Sequence, residues 1–202
     1  MENMKSLFII LFVSGVLFSQ TTPLTLSTTV FLEEEIKDIG GMCSLGCGIS
    51  WDISATSHLP EQKGNTYAAS NMSDGLISTA WVEGVKGIGV GEKIKFDFGT
   101  KYFESNGEID SINLNGFRIL NGYSKSEELW RNNGRVKKLK MYHNSNLIYI
   151  IEIQDKMQLQ EFYFPNIFLK KDDMIVFEII EVQSGEKYSD TAITEFEPLG
   201  AH

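Results

Sequence analysis

Four short blocks hold the residues whose types could do chemistry. They are Trp81-Val82-Glu83, Leu120-Asn121-Gly122-Tyr123-Ser124-Lys125-Ser126, Trp130-Arg131-Asn132-Asn133-Gly134-Arg135 and Tyr188-Ser189-Asp190. Together they offer the aromatics Trp81, Tyr123, Trp130 and Tyr188 beside Glu83, Asn121, Lys125, Asn133, Arg135 and Asp190. A pyranose presents an apolar face of C–H groups and a rim of hydroxyls, so its receptors pair an aromatic plate with amides, carboxylates or guanidinium groups. The same residues also admit plainer readings. Trp81 suits a core position, and Tyr123 and Trp130, flanked by polar residues, fit either role. Glu83 and Asp190 could form an acid and base pair, which requires carboxyl groups about 5 to 10 Å apart. No histidine lies in these blocks, and no Ser-His or Cys-His constellation supports covalent catalysis. The expectation is therefore a binding protein without catalytic activity, with a hydrolase acting on glycans as the competing reading.

A further block, Asn71 to Gly84, places Asp74 and Thr79 on either side of Gly75. A tight turn there lets a carboxylate, a hydroxyl and several backbone carbonyls converge, an oxygen set suited to calcium. An Asx-turn, with Asp74 capping its own backbone and no metal, accounts for the same residues. Gly84 to Gly91 is glycine-rich, yet it lacks the Lys-Ser or Lys-Thr of a phosphate loop and leads into a strand. Close backbone approach explains these glycines better. The two cysteines, Cys43 and Cys47, are separated by three residues, and a short-loop disulfide is favoured over a redox or metal role. His58, His143 and His202 are scattered singly, which leaves zinc without a ligand set.

The elements that must position these blocks are short strands. Glu92 to Phe98 alternates apolar Ile94, Phe96 and Phe98 with Lys93, Lys95 and Asp97. Ser50 to Ser57, Ile112 to Leu120, Val136 to Tyr142, Leu147 to Ile153, Gln160 to Phe164, Met174 to Val182 and Ala192 to Glu197 complete about eight strands. Met174 to Val182 is apolar at both parities and reads as a central strand buried on both sides. Ser124 to Asn132 suits one or two helical turns with Leu129 and Trp130 inward. The class is all-β, an antiparallel sandwich.

Residues 1–20 pair Lys5 with an apolar run of about a dozen residues, too short for a bilayer span of roughly 20 and typical of a signal peptide. Cleavage near Ser19 or Gln20 is expected, with a retained anchor helix as the alternative. The mature chain, without a transmembrane segment, would then be secreted or periplasmic in the envelope of a bacterium. Residues 21–48 have no sustained period and read as a leader carrying Cys43 and Cys47, followed by one domain over 49–202. A net charge of −9 argues against nucleic acid. The cluster Arg135, Lys137, Lys138 and Lys140 reads as the solvated face of a strand.

The block from Asn71 to Gly84, with its Asp-Gly and Thr-x-Trp, resembles the discoidin or coagulation-factor C-type domains, which are galactose-binding-like jelly rolls. With Gly87 to Glu92, Leu120 to Ser126, Trp130 to Lys137 and Tyr188 to Glu195 in order, the sequence is similar to the glycan-binding module found beside bacterial NAD-glycohydrolase toxins. The resemblance spans roughly 49–197. It implies a non-catalytic module binding a glycan, with a protein-interaction or envelope-docking domain as the second reading. It also implies a structural calcium held by the side chains of Asp74, Thr79 and Glu195 and the carbonyls of Asn71, Leu76 and Thr194.

Overall fold

The computed structural model describes residues 22–30, 51–98 and 111–201. The expected signal peptide and the Cys43/Cys47 pair lie outside the described residues. Eleven strands occur among the described residues: β1 (Leu24–Ser27), β2 (Thr29–Val30), β3 (Asp52–Ala55), β4 (Trp81–Val82), β5 (Lys93–Asp97), β6 (Ile112–Asn121), β7 (Gly134–His143), β8 (Asn146–Glu152), β9 (Leu159–Leu169), β10 (Met174–Gln183) and β11 (Thr191–Ala201). A 3-10 turn (Ala69–Ser73) and one short helix, α1 (Glu127–Asn132), sit between strands. Ser126 caps α1 by accepting the Leu129 N–H, and Glu127 and Glu128 fill its first turn, where acidic residues oppose the helix dipole.

Hydrogen bonding runs in the order β2-β9-β6-β11-β7-β10-β5-β3, with β4 on β11, β8 on β7 and β1 on β8. The ladder folds on itself into two layers. Phe117 of β6 meets Phe177 of β10 at 4.9 Å between ring centroids, and Phe196 of β11 meets Phe96 of β5 at 5.2 Å. These edge-on aromatic pairs fill the space between the layers, a geometry that adds to the gain from burial alone. The result is the expected jelly-roll sandwich, antiparallel except for β1 on β8 and a two-residue link between β11 and β7.

Three expectations are corrected. The leader is part of the sandwich over residues 24–30: β1 runs parallel to β8, while β2 runs antiparallel to β9. Buried Thr28 sits between them, its hydroxyl 2.6 Å from Gln160 Oε1 and accepting the Gln154 N–H, while its carbonyl accepts the Gln154 amide. This strap spans both layers, and its strands are too short to show a sustained period in sequence. Strand β10 is central, but only one face is fully buried. Ile175, Phe177 and Ile179 point inward, while on the other face Glu178 accepts a bond from Tyr142 and Glu181 pairs with Lys137 and Lys138. Those ion pairs make Lys137 and Lys138 the solvated face expected of them, but Arg135 is buried.

The C-terminal end of β6, strand β4, the starts of β7 and β11 and the end of β10 meet at one end of the sandwich. The blocks singled out in the sequence all lie there. Hairpin 143–146 and turn 170–173 form the opposite end. Among the described residues no helix is long and apolar enough to cross a membrane.

Candidate functional site

The end of the sandwich is assembled by backbone hydrogen bonds between loops. The loop from β10 to β11 is stapled to the C-terminus of α1: Glu186 N–H donates to the Arg131 carbonyl (2.9 Å), and the N–H groups of Lys187 and Tyr188 donate to that of Asn132 (3.2 and 2.8 Å). Gly134 N–H returns a bond to the Asp190 carbonyl at 2.8 Å. A β-carbon at Gly185 would fall 2.3 Å from the Asn132 carbonyl, so only glycine permits this approach. The glycine-rich loop after β4 joins the same assembly, because Thr191 Oγ1 donates to the Ile88 carbonyl at 2.9 Å.

Arg135 is the node of the aromatic corner. Its Nε donates to Asp155 Oδ1 at 2.7 Å and its Nη2 reaches Oδ2 at 3.3 Å. Nη1 donates to the carbonyls of Trp130 and Asn133. The guanidinium lies over the Trp130 indole, 4.2 Å from the ring centroid, a cation–π contact. The indole Nε1 in turn donates to the Asn121 carbonyl at 2.8 Å. Gly122, with φ +85, makes room for this packing, since a β-carbon there would fall 2.6 Å from Trp130 Cδ1 and 2.9 Å from Arg135 Cγ.

These bonds divide the residues expected to meet a ligand. Lys125 and Tyr188 are exposed, Tyr188 by 43%, and Trp130 and Asp190 are half-buried. The other six turn inward and are engaged within the protein. Trp81 is wholly buried in the core and its indole N–H bonds the Ser57 carbonyl. Both ends of the Asn121 amide are taken by the backbone of Val136. Tyr123 packs with Ala80, Val82 and Ala192, and burial raises its phenol pKa. Asn133 donates its amide to the Leu129 carbonyl, and the donors of Arg135 are engaged as described. Glu83 is fully buried with Oε2 accepting the Val85 N–H at 2.7 Å, and Oε1 is without a partner beneath Gly89. Burial raises its pKa, against the Val85 and Thr191 backbone bonds and with Asp190 and Glu92 repulsion adding to it. Asn133 and Glu83 are engaged within their own segments, whereas the bonds of Asn121 to Val136 and of Arg135 to Asp155 are tertiary. Asp155 was missed: it lies in the connection between β8 and β9, and a lone aspartate in a turn carries no distinguishing signal.

The second corner joins the loop after the 3-10 turn to β11. Asp74 Oδ1 accepts the Leu76 N–H at 2.9 Å and Oδ2 lies 2.7 Å from Thr79 Oγ1, which is 3.0 Å from the Leu76 carbonyl. Gly75 takes φ +74 to close the turn. The Asx-turn is thus formed. Beside it Glu195 is fully buried, and neither of its carboxyl oxygens has a hydrogen-bond partner. Burial first, and then the neighbouring carboxylates of Glu197 and Asp74, push its pKa up to about 9 against a weak pull from the Gly75 backbone N–H, which lies too poorly placed for a full hydrogen bond. A buried carboxyl without a well-formed hydrogen bond, beside a second carboxylate, a hydroxyl and carbonyls, offers oxygens that fit a hard cation. Among the described residues no group of three or more His, Cys, Asp or Glu side chains converges, so two carboxylates are all this corner supplies. The side chains of Asn71 and Thr194 serve the frame: the Asn71 amide bonds the carbonyls of Thr66 and Ala80, and the Thr194 hydroxyl bridges Gly122 and Ser124.

Comparison with solved structures places the fold. The chain is similar to CpGH89CBM32-5 from Clostridium perfringens, in complex with GalNAc-β-1,3-galactose, with TM-score 0.54 and 19% identity over 74% of this chain and 95% of that one. It is similar to the family 32 carbohydrate-binding module from Streptococcus pneumoniae EndoD, with TM-score 0.52 and 9% identity over 81% of this chain and 99% of that one. It is also similar to the CBM32-1 and CBM32-2 domains of Clostridium perfringens ZmpB in complex with GalNAc, with TM-score 0.57 and 12% identity, covering 91% of this chain and 42% of that one. No curated protein matches the sequence. Residues 45–197 match the NAD glycohydrolase translocation F5/8 type C domain, and the chain belongs to that family.

Proposed function

We propose that the protein is an exported glycan-binding module without catalytic activity, and that it takes a sugar at the end of the sandwich that carries Trp130 and Tyr188. The observation that carries this reading is the staple between the β10–β11 loop and α1. It fixes the backbone of an exposed tyrosine against the end of the helix that holds Trp130, with Asp190 in the tyrosine's own loop and Lys125 in the loop that leads into that helix. Two aromatic surfaces with a cation and a carboxylate beside them suit the C–H face and hydroxyl rim of a pyranose. The carbohydrate-binding modules of like fold agree with a sugar ligand, although a shared fold alone does not assign one. A structural calcium between Asp74 and Glu195 would join the first loop to the last strand. It would supply charge to the buried Glu195 carboxyl and take no part in chemistry.

The test is calorimetric titration of the chain lacking residues 1–20 against a panel of mono- and disaccharides, followed by Trp130→Ala and Tyr188→Ala. Wild-type binding is expected, with each substitution weakening it at least tenfold and leaving the circular dichroism unchanged. Failure of every sugar on a glycan array, with specific capture of an envelope protein through the same loops, would replace the sugar by a protein partner.

A further inference from the structure

Asp155 lies on a different loop from any residue of the aromatic corner, yet its carboxylate meets Arg135 through both oxygens, at 2.7 and 3.3 Å. The guanidinium so held also bonds the carbonyls of Trp130 and Asn133 and covers the indole at 4.2 Å. Arg135 is buried, whereas the Asp155 side chain is about half exposed. A bidentate pair of this kind fixes the plane of the guanidinium as well as its position. With that plane fixed, one face of the half-buried Trp130 ring is covered by the guanidinium. We propose that Asp155 is a positioning residue of the binding site: through Arg135 it sets the orientation of the Trp130 ring and so the affinity of the platform.

This inference rests on the glycan-binding reading for its consequence but not for its geometry, and the experiment separates the two. The protein contains three tryptophans, Trp51, Trp81 and Trp130. Labelled with 5-fluorotryptophan, it should give three fluorine resonances, and Trp130→Phe identifies the third. In Asp155→Asn the Trp130 resonance should shift and broaden while those of Trp51 and Trp81 stay in place, and Asp155→Glu should restore part of the change. Where a sugar binds the wild type, Asp155→Asn should weaken it about fivefold to tenfold, and should add nothing further in the Trp130→Ala background. An unmoved Trp130 resonance overturns the proposal, as does unchanged sugar affinity in Asp155→Asn or a loss that persists in full without Trp130. If the resonance shifts but no sugar binds the wild type, the positioning role stands and the glycan reading falls.

Discussion

Two buried ionisable groups lie at the same end of the sandwich and are treated in opposite ways. Around Arg135 the fold provides a carboxylate, two carbonyls and an aromatic face, so the charge is compensated wholly from within the protein. Around Glu195 it provides no well-formed hydrogen bond, only the weak pull of the Gly75 backbone N–H, and it places a second carboxylate alongside. A buried charge is tolerated only when paired, and otherwise the group neutralises or recruits a counter-ion. The first corner is therefore complete as it stands, a rigid mount for Trp130. The second is complete only with a proton on Glu195 or a cation beside it. The difference teaches that residues of equal chemical promise divide into frame and site according to whether the surrounding backbone has already engaged them.

The sharpest way to break the comparison is to empty the complete corner. Arg135→Ala leaves Asp155 without its cation and two carbonyls without donors. It should lower the unfolding free energy by about 3 kcal/mol in urea titration, near the lower end for breaking a buried pair because Asp155 is half exposed. A loss below about 1 kcal/mol would mean that the corner is not a closed node.

The Glu195 corner should respond to solution conditions instead. Calcium at about 100 times its dissociation constant should stabilise the fold by about 2.7 kcal/mol, read as a rise in melting temperature over an EDTA control. Glu195→Gln should remove that rise. Without metal, a folded pKa of about 9 against an ordinary 4.5 means that the native state holds a proton which the unfolded state has released. Stability from this group should then fall as pH climbs from about 5 to 9, and Glu195→Gln should flatten the profile. Saturating calcium should flatten it as well, by keeping the carboxyl ionised in the fold. A metal-free profile that rises over this range would contradict the placement of Glu195.

A smaller effect probes the packing. Gly122→Ala puts a carbon into Trp130 at a positive φ, and should cost about 2 kcal/mol in the same urea titration. Equal stability would show that the aromatic corner has slack.

The strands were legible because their signal is local. Ile94, Phe96 and Phe98 alternate with charged residues, and the structure buries those three in one strand and its immediate extension. Eight alternating runs with glycine and asparagine between them leave few architectures besides a sandwich. Where the period was short, as in Leu24 to Val30, the sequence carried too few residues to show it, and a strap crossing both layers was missed. The strand β10 was read as buried on both sides because Val176 and Ile180 are apolar, but Tyr142 and Lys137 on the neighbouring strand give its glutamates partners at the surface.

The site divides in the same way. Residue type and loop position made Asn121, Trp130, Arg135 and Tyr188 candidates, and the strand pairing of the folded chain brings them to one end of the molecule. Which of them faces outward was decided only in three dimensions. Asn121 finds the Val136 backbone across 15 positions and Arg135 finds Asp155 across 20. A side chain's hydrogen-bond partners are chosen by what the folded chain brings within about 3 Å, and nothing in its own neighbourhood of sequence records that choice.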